Sequence, residues 1–256
     1  MKSWRLYLLV GLSVLWLVGC GPDRSNQTDV SDEPADTVAT DTASRAQDRA
    51  DTDVQTREVE DAALHVLVVG NSIAAGYGLD SEQAFPAHLQ EKADRAGYDV
   101  HVTNAGLSGE TTAGGLRRLP WLLRTPVDIV VLELGGNDGL RGIDPSTTQQ
   151  NLSAMVDTTL ARYPEAEVLL AGMQVPPNLG QEYTDQFRQV FPAVAEARDA
   201  VTLIPFVLEG VAGEPDLNQP DGIHPTAEGQ AIVAENVWEY LQPILERRLE
   251  AEPATS

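Results

Sequence analysis

The chain has 256 residues with 17 Lys+Arg and 39 Asp+Glu, a formal net charge of −22. That charge repels polyphosphate and argues against nucleic acid as a partner, while 42% hydrophobic residues excludes a wholly disordered chain. The length suits a single domain with tails.

Residues 1–20 carry Lys2 and Arg5 and no acid, and Leu6 to Val18 form a thirteen-residue apolar run. A helix of that length is too short for a bilayer core of roughly 30 Å, so residues 1–19 read as a signal peptide. Cys20 is the only cysteine, so no intramolecular disulfide is possible. Its place after Gly19 resembles the lipobox of bacterial lipoproteins; an ordinary signal peptide with an incidental cysteine is the competing reading. The resemblance implies cleavage before Cys20 and lipidation there, and two or more acyl chains anchor a protein stably. Gly21 follows the cysteine with no aspartate retention signal, so the outer membrane is the expected site in a cell that has one. Residues 21–61 hold twelve acids, four arginines and no aromatic residue. Such a segment buries too little apolar surface to offset its ordering entropy, so residues 20–61 are expected to be a lipidated cysteine followed by a disordered acidic tether.

Residues 62–256 hold twenty-seven acids and eleven bases. At 195 residues this region is long enough for one full α/β layer system. The whole chain has two lysines, Lys2 and Lys92, against fifteen arginines. An acid-rich, lysine-poor surface suits high salt, where screening relieves self-repulsion.

His65 to Val69 is an apolar, β-branched run closed by Gly70 and reads as a buried strand. Glu82 to Ala96 places Phe85, Leu89 and Ala93 on one face and stops at Gly97, the pattern of a helix. Asp99 to Thr103 is the second strand. Thr111 to Arg124 is a helix with Leu116, Leu119 and Leu123 as its stripe, which Pro120 should kink or split. Ile129 to Leu134 is the third strand, Ser146 to Tyr163 a helix, and Val168 to Met173 the fourth strand. A helix over about Tyr183 to Arg198, a strand at Val201 to Ile204 and a final helix from Thr226 to about Arg248 complete the chain. In that last helix Ile232, Val233, Val237 and Leu241 face inward. Five apolar strands separated by amphipathic helices predict a parallel sheet covered on both faces, a three-layer α/β/α sandwich. Ligands of such sheets sit beyond the carboxyl ends of the strands.

The first strand runs into Gly70-Asn71-Ser72-Ile73-Ala74-Ala75-Gly76. The second leads to Asn104-Ala105-Gly106-Leu107-Ser108-Gly109-Glu110, the third to Gly135-Gly136-Asn137-Asp138-Gly139-Leu140-Arg141-Gly142. After the fifth comes Asp221-Gly222-Ile223-His224-Pro225. Of the four histidines, His65 and His101 lie near strand starts and His88 lies in a helix, so only His224 falls on this rim. Asp221, three residues earlier, is spaced to fix its tautomer. A serine hydroxyl needs such a base to act as a nucleophile, and Ser72 is placed to receive it. The Ser72 and Gly109 N–H groups and the Asn137 side-chain amide are candidate donors to an oxyanion. Taken singly, Asn71-Ser72 and Asp221-Gly222 could each be an ordinary turn, and Gly109 could simply precede a capped helix. The α/β-hydrolase elbow is absent, because Ala74 stands where its last glycine would be. No phosphate loop and no metal-spaced cluster occur, so neither a metal nor another cofactor is expected.

These four blocks resemble the SGNH, or GDSL, hydrolase superfamily over essentially all of residues 65–245. The likeness is greatest to the bacterial acyl-CoA thioesterase I, lysophospholipase L1 and arylesterase group. The resemblance implies a flavodoxin-like sheet and a serine esterase or thioesterase working through an acyl-enzyme. Carried over singly, Ser72 matches the nucleophile, Gly109 and Asn137 the oxyanion donors, His224 the base and Asp221 its orienting partner. The chain departs from the family pattern at Asn71, where Gly-Asp-Ser is usual. Ile73, Leu140 and Pro176 are expected to shape an acyl groove, with Gln174 to Gly180 contributing. The expected substrates are small acyl esters, thioesters or lysophospholipids, the expected state a monomer held to a membrane only by its N-terminal lipid. A carbohydrate acetyl-esterase of the same superfamily is the nearest alternative, and a non-catalytic envelope-binding lipoprotein a more distant one.

Overall fold

The structure is a computed structural model in which residues 62–251 are described. The expected signal peptide, Cys20 and the acidic tether lie outside the described residues. Strand β1 spans Leu64–Gly70, β2 Val100–Gly106, β3 Ile129–Glu133, β4 Glu167–Ala171 and β5 Val201–Ile204. All pair in parallel in the order β2-β1-β3-β4-β5, the flavodoxin-like order. Every residue of β1 and β3 is buried, as a continuous apolar run requires at the centre of a parallel sheet.

Helix α1 spans Phe85–Ala96, α2 Thr112–Leu122, α3 Gly136–Leu140, α4 Pro145–Arg162, α5 Gln181–Glu196 and α6 Ala227–Ala251. Helix α1 packs with α6, and α2 with α4, which in turn packs with α5, so both faces of the sheet are covered. Phe85, Leu89 and Ala93 are fully buried, as are Val233, Val237 and Leu241, while Ile232 packs at the core margin.

Three details differ from the sequence reading. Helix α1 starts at Phe85 rather than Glu82, because Ser81–Gln83 form a separate 3-10 turn and Ala84 is extended. Pro86 lacks an N–H and so sits in a first turn, where none is needed. Helix α2 is not split: Pro120 lies in its last turn, where it removes a single helical hydrogen bond, and the helix ends at Leu122. Residues 136–140, read as loop, form the short helix α3, which opens at Gly135 with φ of 114°. That left-handed conformation is one that glycine adopts without steric cost.

The sheet order reverses between β1 and β3. The loops that follow these two strands carry Ser72 and Asn137, at the switch point where such sheets bind ligands.

Candidate active site

The parallel register brings the ends of β1, β2 and β3 to one rim, Gly70 beside both Gly106 and Glu133. Beyond Gly70 the chain closes a tight turn, with Ala75 N donating to Asn71 O at 3.0 Å and Tyr77 N to Ser72 O at 3.0 Å. Ser72 is thereby held nearly buried at the tip of β1.

The loop bearing Asp221 and His224 is pinched shut by an isolated bridge between Asn218 and Pro225, and Gln219 N donates to His224 O at 2.7 Å. His224 Nδ1 lies 2.7 Å from Asp221 Oδ2, and its Nε2 lies 2.9 Å from Ser72 Oγ. A carboxylate only accepts, so this contact puts the proton on Nδ1 and leaves Nε2 free to accept from the serine hydroxyl. Asp221 Oδ1 also accepts the backbone N–H groups of Ile223 and His224, at 2.9 and 3.0 Å. The His224 side chain first, and then these N–H groups, hold its carboxyl down to about 2. Tyr77, which sequence reasoning passed over, lays its ring 4.5 Å from the His224 ring, centroid to centroid. Gln219 ties the two loops together, its Nε2 donating to Tyr77 O at 2.6 Å and Pro225 O at 3.0 Å.

Asn137, Gly109 and the Ser72 N–H are the candidate oxyanion donors. Asn137 stands in the first turn of α3 and donates one amide hydrogen to Glu110 O at 3.0 Å, which leaves its second hydrogen for a ligand. Among the described residues neither the Ser72 nor the Gly109 N–H donates to a backbone carbonyl. Ser72 and Asn137 line the cleft; Gly109 lies just outside that lining, joined to it through Glu110. Gly109 has φ of 79°, and its carbonyl accepts from Arg141 Nη2 at 2.9 Å.

Two buried acids that sequence reasoning missed brace this part of the site. Glu110 is ion-paired with Arg118, which also donates to Ala105 O at 2.7 Å. Asp138, fully buried, accepts from Thr112 N at 2.8 Å and Thr112 Oγ1 at 2.5 Å, clamping the start of α2 to α3. A third, Glu133, closes β3 beneath the nucleophile turn. Burial pushes it up to about 8, against the opposing pull of the Asn71 and Ala74 N–H groups. An acid inside an apolar strand pattern was the signal available for Glu133.

A cleft of about 440 Å³ opens beside Ser72. Ile73, Leu140 and Pro176 are among the residues that line it. Its far wall, formed by Phe206, Leu208, Ala212 and Ile223, was not foreseen. Phe206, Leu208 and Ala212 come from the long segment between β5 and Asp221, whose path no periodicity reveals. His65 and His101 lie at the other ends of the strands, and His88 lies in α1, so these three stand apart from the site. Among the described residues no group of three or more His, Cys, Asp or Glu is placed to hold a metal ion.

A serine, a histidine and a carboxylate in one contact series lie at the switch point of a parallel sheet, and the chain is a hydrolase of the class that acts on esters. Residues 68–232 match the GDSL-like Lipase/Acylhydrolase family. The chain is 50% identical over 185 residues to Esterase TesA of Pseudomonas aeruginosa, covering 72% of this chain and 90% of that protein. It is 39% identical over 185 residues to Thioesterase 1/protease 1/lysophospholipase L1 of Escherichia coli, covering 72% and 86%. The crystal structure of TesA superposes with a TM-score of 0.67 at 49% identity, covering 70% of this chain and 99% of that one. The chain belongs to the GDSL-like Lipase/Acylhydrolase family.

Proposed function

We propose that Ser72 is the nucleophile of a serine esterase and thioesterase, with His224 as its base and Asp221 as the group that orients the base. The observation that carries this reading is the unbroken contact series Asp221 Oδ2, His224 Nδ1, His224 Nε2 and Ser72 Oγ, at 2.7 and 2.9 Å. Ser72 Oγ attacks the ester carbonyl as its proton passes to His224 Nε2. The carbonyl oxygen, now negative, is received by the Ser72 and Gly109 N–H groups and the free hydrogen of Asn137. The tetrahedral intermediate collapses, the bond to the alcohol or thiol breaks, and His224 returns the proton to that leaving group. Water, deprotonated by the same nitrogen, then attacks the acyl-enzyme, the acyl–Oγ bond breaks to release the acid, and His224 returns the proton to Ser72 Oγ.

The cleft supports acyl chains of short to medium length. Its lining is mainly apolar, with Ile73, Leu140, Met173, Phe206, Leu208 and Ile223 contributing, and Asn137, Gln174 and Asn218 adding polar groups beside the Ser72–His224 pair. Acyl thioesters and lysophospholipids are the substrate classes this lining and the relatives' names favour, with aryl esters added by the family resemblance. The enzyme acts as a monomer outside the cytoplasm, tethered through lipidated Cys20 to the outer membrane where one exists, with residues 21–61 as the spacer. The position of Cys20 at the end of the apolar run supports this placement. Among the described residues no helix is long and apolar enough to cross a membrane.

Labelling with a fluorophosphonate, followed by peptide mass spectrometry, tests the assignment. Ser72 is expected to carry the adduct, and Ser72→Ala and His224→Ala to remain unlabelled. An adduct on another residue, or none on folded protein, would overturn the assignment.

A further inference from the structure

Glu133 is fully buried beneath the nucleophile turn, and among the described residues no cation is ion-paired with it. Its Oε1 accepts from Asn71 Nδ2 at 2.7 Å, and its Oε2 accepts the N–H groups of Asn71 at 3.1 Å and Ala74 at 3.3 Å. A Cβ at Gly70 would lie 2.7 Å from Oε2, so the carboxyl is seated directly against the backbone of the turn. With its nitrogen held by Glu133, the Asn71 amide turns its oxygen the other way. That oxygen accepts from Ile73 N at 2.9 Å and lies 3.3 Å from Ser72 Oγ. The Ser72 hydroxyl thus has two acceptors within reach, and the closer, at 2.9 Å, is His224.

We propose that Glu133 and Asn71 are a matched positioning pair: the carboxyl fixes which way the Asn71 amide faces, and the amide in turn holds the Ser72 turn so that its hydroxyl addresses His224. This rests on the reading of Ser72 as nucleophile. Neither residue touches the reacting bond, so both act through Ser72. The second hydrogen of Asn71 Nδ2 goes to the Glu133 backbone carbonyl at 3.3 Å; with Glu133 ionised, the side-chain half of the pairing is donor against acceptor, and there the residue types can be exchanged but not changed singly. With Glu133→Gln, either orientation of the new amide sets its NH₂ against other donors: Asn71 Nδ2 in one, the Asn71 and Ala74 backbone N–H groups in the other. Flipping Asn71 to escape would turn its NH₂ toward Ile73 N. In Asn71→Asp with Glu133→Gln, the glutamine NH₂ donates to the new aspartate while its oxygen keeps the two backbone N–H groups. The second oxygen of that aspartate still faces Ile73 N and Ser72 Oγ.

The test is a double-mutant cycle on p-nitrophenyl butyrate, read as kcat, KM and fluorophosphonate labelling rate, with urea unfolding of each variant. Glu133→Gln is expected to lose about ten- to hundredfold in kcat and labelling rate, the effect of unpaired buried polar groups, with KM within about twofold. Asn71→Asp keeps a hydrogen bond by sharing one proton between two carboxyl groups and loses less. The double variant is expected to recover part of what Glu133→Gln lost, the remainder being the cost of the aspartate oxygen that faces the backbone carbonyl of residue 133. Should Glu133→Gln fail to fold, recovery of the folded state in the double variant is the expected result instead. Glu133→Gln as active as the unmodified enzyme, or a double variant no better than Glu133→Gln in either activity or folding, overturns the pairing. Absence of turnover by the unmodified enzyme would count against Ser72 as nucleophile; turnover without coupling counts against the pair alone.

Discussion

Asn137→Ala separates a donor used in the transition state from a residue that merely holds the loop. The Asn137 amide has two hydrogens, and Glu110 O takes one at 3.0 Å. The other is at the cleft wall beside Ser72. Truncation removes both interactions, and their sizes differ. Loss of one oxyanion donor costs about 2.7–4 kcal/mol of transition-state stabilisation, or roughly 10²–10³ in kcat. Loss of the hydrogen bond to Glu110 costs the fold about 1 kcal/mol, a minor part of a typical total of about 5–15 kcal/mol. The variant is therefore expected to stay folded at 25 °C, so the loss of rate reports chemistry. Steady-state kinetics on p-nitrophenyl butyrate, beside urea unfolding, gives both numbers. A kcat reduced by less than about tenfold, or a defect confined to KM, would refute Asn137 as an oxyanion donor.

Asp221→Asn preserves shape but lets Nδ1 of His224 accept rather than donate, so kcat is expected to fall about 10⁴-fold at neutral pH; a loss below tenfold would remove Asp221 from its orienting role. Ile223→Ala is expected to lower kcat/KM for p-nitrophenyl octanoate about fivefold, from the lost apolar contact, and to leave the acetate ester unchanged. Equal loss on both esters would place Ile223 outside the acyl groove. His65 is kept neutral mainly by burial, which lowers it from 6.5. A group with a depressed folded pKa contributes stability above its unfolded pKa and loses it as pH falls through the folded value. Stability in urea is thus expected to decline from below pH 6.5, and His65→Gln to show a flatter profile; parallel profiles would refute it. With twenty-seven acids against eleven bases in residues 62–256, the domain is expected to gain stability with added salt. A melting temperature indifferent to sodium chloride between 0.05 and about 1 M would refute that.

The strand pattern was legible because central parallel strands are apolar throughout: β1 and β3 announce themselves, and glycines mark where they end. The candidate site residues were legible for the same reason, since Ser72, Asn137 and His224 each follow on a strand end or a Gly-Pro-bounded turn. Helix α3 was not, because five residues containing two glycines show no helical periodicity; the helix is stabilised by tertiary contacts, Asp138 to Thr112 among them. The far wall of the cleft was hidden too. Phe206, Leu208 and Ala212 belong to an irregular segment brought to the site by hydrogen bonds such as Asn218 Nδ2 to Val211 O, at 2.6 Å. Glu133 was visible but unread: an acid inside an apolar strand has meaning only once the turn above it is known. Asn71, noted as a departure from the family motif, gains its meaning from the same contact.

The most direct measurement is a chain-length profile on p-nitrophenyl esters from acetate to laurate, with the domain from residue 62 compared beside Ser72→Ala at low and high salt. The enzyme is expected to hydrolyse the series with a preference for chains longer than acetate, and Ser72→Ala to be without activity. Folded protein that turns over none of these esters at any salt concentration, or a Ser72→Ala variant that retains turnover, would contradict the account.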